Sequence, residues 1–369
     1  MFFLMVFICC IVAGAVLRLT SPVILPFTVA VLLAFAMYPL VKKLDKLRCP
    51  RTVSILLVVA IIIAGLYGFG MILLTSGRMI AAQFPRYEYR FIEIYTYIAR
   101  LFELPFDEDL TFFENLWAQL GIRTLVRNFT LSFSNFALHF VTSAVLVILF
   151  LVFLLLEASH FKEKLETAFE GRSVRIKKMG QDLMSQVTRY LTAKFFISLA
   201  NGVIFAASFS LVGLEFAIVW GVMQFLLNFI PNLGSITAGV VISLFALLQF
   251  WPNPAPIIIV IAIILAVNLI LGNFLDPKIV GEHVGISPLV ILVSLTIWGL
   301  IWGFAGMVLA VPMTVIIKII CENIPIMEPV SILLGTRKSI HAKKAEREKH
   351  EMPSEEQSAP SSAEGQFTV

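Results

Sequence analysis

Charge is what this chain has least of. Asp, Glu, Lys and Arg together supply 14% of its 369 residues, where soluble domains carry about 25%. So few charged groups exclude a soluble fold and fix the membrane class before any motif is read. Cysteine and histidine are scarce as well, at four and five residues. Cys9, Cys10, Cys49 and Cys321 show no metal-ligand spacing and the histidines lie far apart, so no disulfide framework, zinc site or other cofactor is expected. Gly-x-Ser-x-Gly elbows, H-E-x-x-H and Walker loops ending in Gly-Lys are all missing, which excludes an ATP-driven pump on this chain alone. Asp107-Glu108-Asp109-Leu110-Thr111 formally matches the Asp-x-Asp-x-Thr of aspartate-nucleophile phosphatases. It sits between amphipathic helices instead of after a buried strand, so we read it as coincidence and expect neither an enzyme nor a nucleic-acid partner.

Hydrophobic residues, by contrast, make up 59% of the chain, and they come in runs. A helix rising ~1.5 Å per residue needs about 20 apolar residues to cross a hydrocarbon core roughly 30 Å thick. Such runs cover Val23 to Val41, Val53 to Thr75, His139 to Leu156, Phe195 to Gly213 and Ile257 to Gly272, and Phe2 to Leu17 opens the chain with another. Ala13-Gly14-Ala15 has the small-x-small look of a signal-peptide cleavage site, but the positive region before it is missing, so the first run reads as a retained anchor. The fold predicted is all-α and polytopic.

Orientation follows from where Lys and Arg fall, since basic loops stay in the cytoplasm. With the amino terminus inside, the loop from Lys42 to Arg51, the connector from Lys162 to Lys194, Lys278, and the group from Lys318 to Lys349 are all cytoplasmic. Arg18 and the arginines between Arg78 and Arg127 fall outside. The division is 21 inside to seven outside among 28 basic residues, and both termini are predicted to be cytoplasmic. Residues 77–138 then form an exterior amphipathic segment, between the first three helices (1–76) and a transport region (139–325). Phe91, Ile94, Ile98 and Leu101 share one helix face. Thr111-Phe112-Phe113-Glu114 has capping-box spacing, with Gly121 as a stop. That apolar face suits a membrane surface, a partner subunit or the chain's own helices equally. Residues 326–369 form a cytoplasmic tail, and beyond Ile340 its Lys/Glu and then Pro/Ser/Glu/Gln composition predicts disorder.

Two late stretches are broken. Phe216 to Ile230 and Ser235 to Phe250 are apolar runs of about 15 residues, separated by Pro231-Asn232-Leu233-Gly234 and each reaching only ~22 to 24 Å. Pro288 to Leu300 and Gly303 to Ile317 repeat the pattern around Trp298-Gly299 and Gly303. Parity makes both pairs hairpins, the first (216–250) opening to the outside and the second (288–317) to the cytoplasm. Irregular backbone at membrane depth is tolerated only where protein buries it or water reaches it, and broken helices in corresponding halves point to a transport site. Asn228-Phe229-Ile230-Pro231 echoes Asn273-Phe274-Leu275-Asp276-Pro277, either as an inverted repeat or by chance.

Between Phe195 and Ile317 the charged residues are Glu215, Asp276, Lys278 and Glu282, with His283 beside them. An ionisable group within a membrane segment is by default a functional-site hypothesis. Asp276 fits a proton or cation carrier at a helix break, and equally the end of a helix paired with Lys278. Gln224, Asn228, Asn232, Ser235 and Thr237 gather at the first break, with Asn268 and Asn273 near the second. Such amides either bind a hydroxylated solute or join neighbouring helices.

The order of Pro26, Ala30, Ala34-Phe35, Pro39-Leu40-Val41, Leu44 and Pro50-Arg51 resembles the autoinducer-2 exporter family of bacterial membrane proteins. The likeness continues through Pro231-x-x-Gly234, Asn273, Pro277, Gly281, Gly285-x-x-Pro288, Trp298-Gly299, Gly303, Gly306 and Ala310-x-Pro312, covering roughly residues 1 to 325. Leu155-Leu156-Glu157-Ala158 departs from the family's usual Leu-Leu-x-Asp but keeps the charge. The resemblance implies an inner-membrane permease with about eight transmembrane segments, assembled as a homo-oligomer, a pentamer, whose members export the quorum-sensing furanone or exchange sodium or lithium for protons.

Residues and resemblance together predict a secondary transporter of a small polar, uncharged solute. Its pathway is lined by Gln224, Asn228, Pro231, Asn232, Gly234 and Ser235 on one side and by Asn273, Asp276, Pro277 and Gly281 on the other, and Asp276 is the candidate for coupling to H+ or Na+. A sodium or lithium/proton antiporter, needing a titrating carboxylate at Asp276, Glu215 or Glu282, is the second reading. A non-transporting scaffold holding a partner through the exterior helices is the third.

Overall fold

The computed structural model describes residues 2–101, 141–157, 173–231, 233–275 and 285–336. These are almost entirely helical, and among them no strand forms beyond one isolated bridge. In chain order the helices are α1 (Phe2–Leu19), α2 (Ser21–Lys46), α3 (Arg51–Leu101), α4 (Val141–Glu157), α5 (Ser173–Val212), α6 (Ala217–Leu227), α7 (Leu233–Phe250) and α8 (Pro254–Val267). A π-helical segment, Asn268–Leu275, continues α8, and α9 (Pro288–Asn323) and the short α10 (Glu328–Leu334) follow. Six of the described helices are long and apolar enough to cross a membrane, and α4 and α6 are shorter apolar helices. The architecture is all-α and polytopic, as composition demanded.

Three apolar cores hold the helices together. Val41 of α2 meets Val58 of α3 and Leu151 of α4 in one. Phe205 and Phe209 of α5 meet Ala217 of α6, Ile242 of α7 and Val260 of α8 in the second. Leu32 of α2 and Val187 of α5 pack on α9 through Trp298, Val311 and Ile319 in the third. Dispersion and small-residue packing carry such contacts, since lipid is as apolar as leucine. At the α5–α6 contact a Cβ on Gly202 would lie 2.7 Å from the Gly221 carbonyl oxygen, so only glycine permits the approach.

The first break is a hairpin with unequal arms. α6 has 11 residues and α7 has 18, or ~16 and ~27 Å. The equal short arms expected from the sequence are not found, because the left-handed Phe216 (φ 59°) starts α6 late and the turn ends it at Leu227. The open end is clasped by Gln249, which donates from Nε2 to the Gly213 carbonyl (2.9 Å) and accepts from the Glu215 backbone N–H (2.8 Å). α3 continues unbroken past its spanning part, Arg51–Ser76, and reaches this corner. There Arg86 pairs with the Glu215 carboxylate at 3.1 Å and the Tyr87 hydroxyl donates to it. Burial and the neighbouring carboxylate push the Tyr87 hydroxyl above its ordinary pKa, keeping it a donor. The rest of the exterior segment, with the capping box and Gly121, and the tail beyond residue 336 lie outside the described residues.

The second hairpin is α9, folded back at Gly303 (φ 62°, ψ −139°). Ser294 and Thr314 hydroxyls meet across it at 2.5 Å, and Trp302 donates to the Leu17 carbonyl of α1 at 3.1 Å. Its ends are joined by a clasp in which Ser287 N–H donates to the Leu334 carbonyl and Thr336 N–H to the Gly285 carbonyl. Backbone geometry like that of Gly303 belongs almost to glycine alone and costs other residues about 1–3 kcal/mol. Gly303→Ala is therefore expected to lower the midpoint of thermal unfolding of the purified protein. Gly65→Ala, inside helix α3 where a new Cβ meets nothing within 4 Å, should leave it unchanged or slightly raised, and equal midpoints for the two variants would contradict the assignment.

Candidate functional site

The long helix α5 is apolar over most of its span, Met179–Val212, but one face is not. Lys194, Ser198 and Asn201 fall at spacings of four and three, which stacks them on one side of a helix. All three are buried, at 2%, 0% and 1% exposure. They face the turn of the first hairpin. Asn201 Nδ2 donates to Asn228 Oδ1 at 3.3 Å, and Asn228 Nδ2 donates to Ser198 Oγ at 3.0 Å.

Asn228 occupies this place because the backbone stops being helical there. It caps α6, its N–H still reaching the Gln224 carbonyl at 2.9 Å. Pro231 has no N–H to continue the ladder, and Gly234 closes the turn against Leu227. A Cβ at Gly234 would overlap the Leu227 carbonyl oxygen. The turn thus rests on one residue that lacks a donor and one that lacks a side chain.

Beside the turn lies a cavity of about 780 Å³, walled by α7 and α8 and floored by Lys194 of α5 and by Asn228, Ile230 and Pro231 of the turn. Ser235 and Asn268 add polar groups near the same end. Ile236, Val240 and Leu244 of α7 and Ile257, Ile261 and Leu265 of α8 make the walls apolar. The volume suits a small molecule, and a mostly apolar lining with a few convergent polar groups is the usual composition of a ligand site. Asn268 opens the π-helical segment, whose wider turns leave backbone carbonyls less regularly paired and occur often at functional sites.

Several buried polar atoms here have no partner among the described residues: Asn268 Oδ1 on the cavity wall, and behind the turn Asn201 Oδ1 and Gln224 Nε2. An orphaned polar atom in low dielectric costs about 1–3 kcal/mol. Native interiors rarely carry such atoms unless water or a ligand completes them.

Of the residues expected to line a pathway, Asn228, Pro231 and Ser235 line the cavity. Gln224 is buried behind the turn, 1% exposed and off the cavity wall. Gly234 shapes the turn. Asn273 lies within the π-helical segment, two residues short of its end. Asn232, Asp276, Pro277 and Gly281 lie outside the described residues, as do Glu282 and His283. Glu215, one of the carboxylates an antiporter reading requires, is at the clasped corner of the hairpin and away from the cavity. Lys194, Ser198 and Asn201 were not anticipated. Lys194 had been grouped with the basic connector, and the other two were hidden in an apolar run. The signal that marks them is their four-and-three spacing.

Residues 1–326 match the model of a family described as AI-2E family transporter. An Escherichia coli protein named AI-2 transport protein TqsA is 28% identical over 320 residues, covering 86% of this chain and 91% of that protein. A Haemophilus influenzae protein is 29% identical over 332 residues, 88% of this chain and 93% of its own length. A Borreliella burgdorferi protein is 28% identical over 319 residues, 86% of each. Both of the latter are provisionally named transport proteins. With a family match over residues 1–326 of 369 and membrane-spanning helices throughout, this chain belongs to the AI-2E transporter family and is a multi-pass bacterial membrane protein with a role in transport.

Proposed function

We propose that the protein carries a small solute across the bacterial inner membrane through the cavity between the first hairpin and α8. One observation carries this reading: Lys194, Asn228, Ser235 and Asn268 put polar groups on a mostly apolar groove. Buried polar groups inside a membrane are costly and are concentrated on transport pathways. The helix is interrupted at that floor, and broken helices mark the binding sites of other transporters. Likeness to TqsA makes an autoinducer-2-like furanone the first substrate to try, with the termini cytoplasmic and the chains assembled as a homo-oligomer, a pentamer by resemblance.

Flux into proteoliposomes tests the proposal, across a panel of the furanone signal, sodium, lithium and several amino acids. Movement of the furanone above protein-free vesicles is the expected result, and a panel in which nothing moves would reject the reading. Asp276 remains the proposed site of ion coupling, one residue beyond the π-helical segment that borders the cavity. Asp276→Asn is expected to abolish the dependence of flux on a pH or sodium gradient. If that dependence persists unchanged, Asp276 has no part in coupling.

A further inference from the structure

We infer that the groove between α7 and α8 takes an uncharged amphiphile, an apolar molecule ending in a hydroxyl, and that Asn268 is the residue that selects for the hydroxyl. The inference rests on the transport reading and names its substrate class.

Most polar groups on the groove are already engaged within the protein. Asn228 accepts from Asn201 and donates to Ser198. Ser243 donates its hydroxyl to the Gly239 carbonyl at 2.7 Å. Lys194 has its own interaction partner. Asn268 differs, because its Oδ1 is shut off from water and accepts from nothing. Such an orphaned oxygen gains most from a donor that a ligand brings. The terminal amide turns about a soft torsion with broad wells, which lets the oxygen swing onto the groove that Asn268 lines.

Ser235 stands opposite. α7 and α8 are antiparallel neighbours joined by Trp251, Pro252 and Asn253. A Cβ on Gly239 of α7 would lie 3.1 Å from the Ile264 Cγ2 of α8, so these two residues are level across the pair. Ser235 comes four residues before Gly239 and Asn268 four residues after Ile264, about one helical turn each, which makes them level too. Both line the groove. A hydroxyl is the group that gives and takes: its hydrogen goes to Asn268 Oδ1, and its oxygen accepts from Ser235 Oγ. Both side chains are neutral, and an ionic head set against them would give up hydration that dipoles alone do not return.

The flanks of the groove are hydrocarbon. Ile236, Val240 and Leu244 recur every fourth residue on α7, as Ile261, Leu265 and Leu269 do on α8. All but Ile261 are more than half exposed, and on helices that cross a membrane such stripes face lipid tails. A solute with an apolar body therefore reaches the groove from the bilayer. One that is hydroxylated throughout would leave its other donors unpaired against these walls.

Isothermal titration of the protein in nanodiscs, against empty nanodiscs, tests this with three probes: 4-phenylbutanol, its methyl ether, and 1,4-butanediol. Phenylbutanol is expected to bind about tenfold tighter than the ether, the scale of one buried hydrogen bond, and the diol weakest of all. Asn268→Leu should bring the alcohol down to the affinity of the ether, and Asn268→Asp, which keeps an acceptor oxygen, should retain the preference. Because leucine removes the orphaned oxygen, the unfolding midpoint of unliganded Asn268→Leu should equal or exceed the native one. A lower midpoint shows that the oxygen is paired in the native protein and overturns the inference. So does equal binding of alcohol and ether, binding of the diol as tight as that of the alcohol, binding of none of the three, or a preference that survives Asn268→Leu. Alcohol binding seen only in nanodiscs that hold a single chain also overturns it, because a second copy then fills the groove. Furanone flux, measured on the same preparations, reports separately on transport. Flux without an alcohol preference removes this inference alone, whereas an alcohol preference without flux of any panel solute removes the transport reading.

Discussion

Asn228→Leu is expected to reduce solute flux at least tenfold and to lower the thermal stability of the purified protein. Leucine matches asparagine in the number and branching of its side-chain heavy atoms, so the loss comes from hydrogen bonds and not from a void. The native side chain accepts from Asn201 and donates to Ser198, and all three residues are at most 5% exposed. Removing it leaves the Asn201 amide with neither end paired among the described residues, since its Oδ1 already lacks a partner there. Each stranded buried group costs about 1–3 kcal/mol. Ser198 suffers less, because a helical serine can turn its hydroxyl to the carbonyl four residues back. The asymmetry gives a sharper test. Replacing Asn201 together with Asn228 removes the stranded amide, so the double variant should be less destabilised than the sum of the two single ones. Additive losses in unfolding midpoint would show that the two asparagines do not interact as the geometry states.

Gly234→Ala should be the most damaging change of a single atom in the first hairpin. The added Cβ would occupy the position of the Leu227 carbonyl oxygen, and the atoms crowding it are all backbone. No side chain is available to swing aside, so the turn itself must open, and a cost toward the upper end of the ~1–3 kcal/mol range for overpacking follows. Opening the turn moves Asn228, Pro231 and Ser235 together, and with them the cavity floor. Flux should fall with stability. Gly239→Ala makes the contrast: its Cβ would meet the Ile264 Cγ2 at 3.1 Å, a side-chain methyl that can yield. That variant is expected to fold normally and to lose less flux. If Gly234→Ala transports as the native protein does, the turn is not the rigid support described above.

Much of the site was legible in the sequence because it depends on local backbone chemistry. Pro231 and Gly234 announce the break wherever they occur, since one lacks an amide hydrogen and the other a Cβ. Asn228 and Ser235 were legible by proximity to that break. Lys194 was not, because a ledger of basic residues assigns a lysine to the side of the membrane on which its sequence neighbours lie. Its burial depends on a different segment, the hairpin turn, coming to rest beside α5. Glu215 failed in the opposite sense. Its place in an apolar stretch suggested a titrating group within the membrane, whereas α3 brings Arg86 and Tyr87 to pair with it at the hairpin's corner.

The sequence by itself determined the membrane class, the helical fold and the positions of both breaks. Apolar run length, a missing amide hydrogen and the backbone freedom of glycine act within a few residues, whatever surrounds them. Only the tertiary structure decided which polar residues share a cavity. That choice depends on which face each helix turns to its neighbour and how close the backbones come. At Gly202 and Gly221 the closeness needs two bare backbones, and the α5–α6 packing that includes it sets the Lys194 face of α5 beside the turn at Asn228. A chain with little charge to spare thus buries Lys194 beside an apolar groove, in a place that no neighbour in sequence foretells.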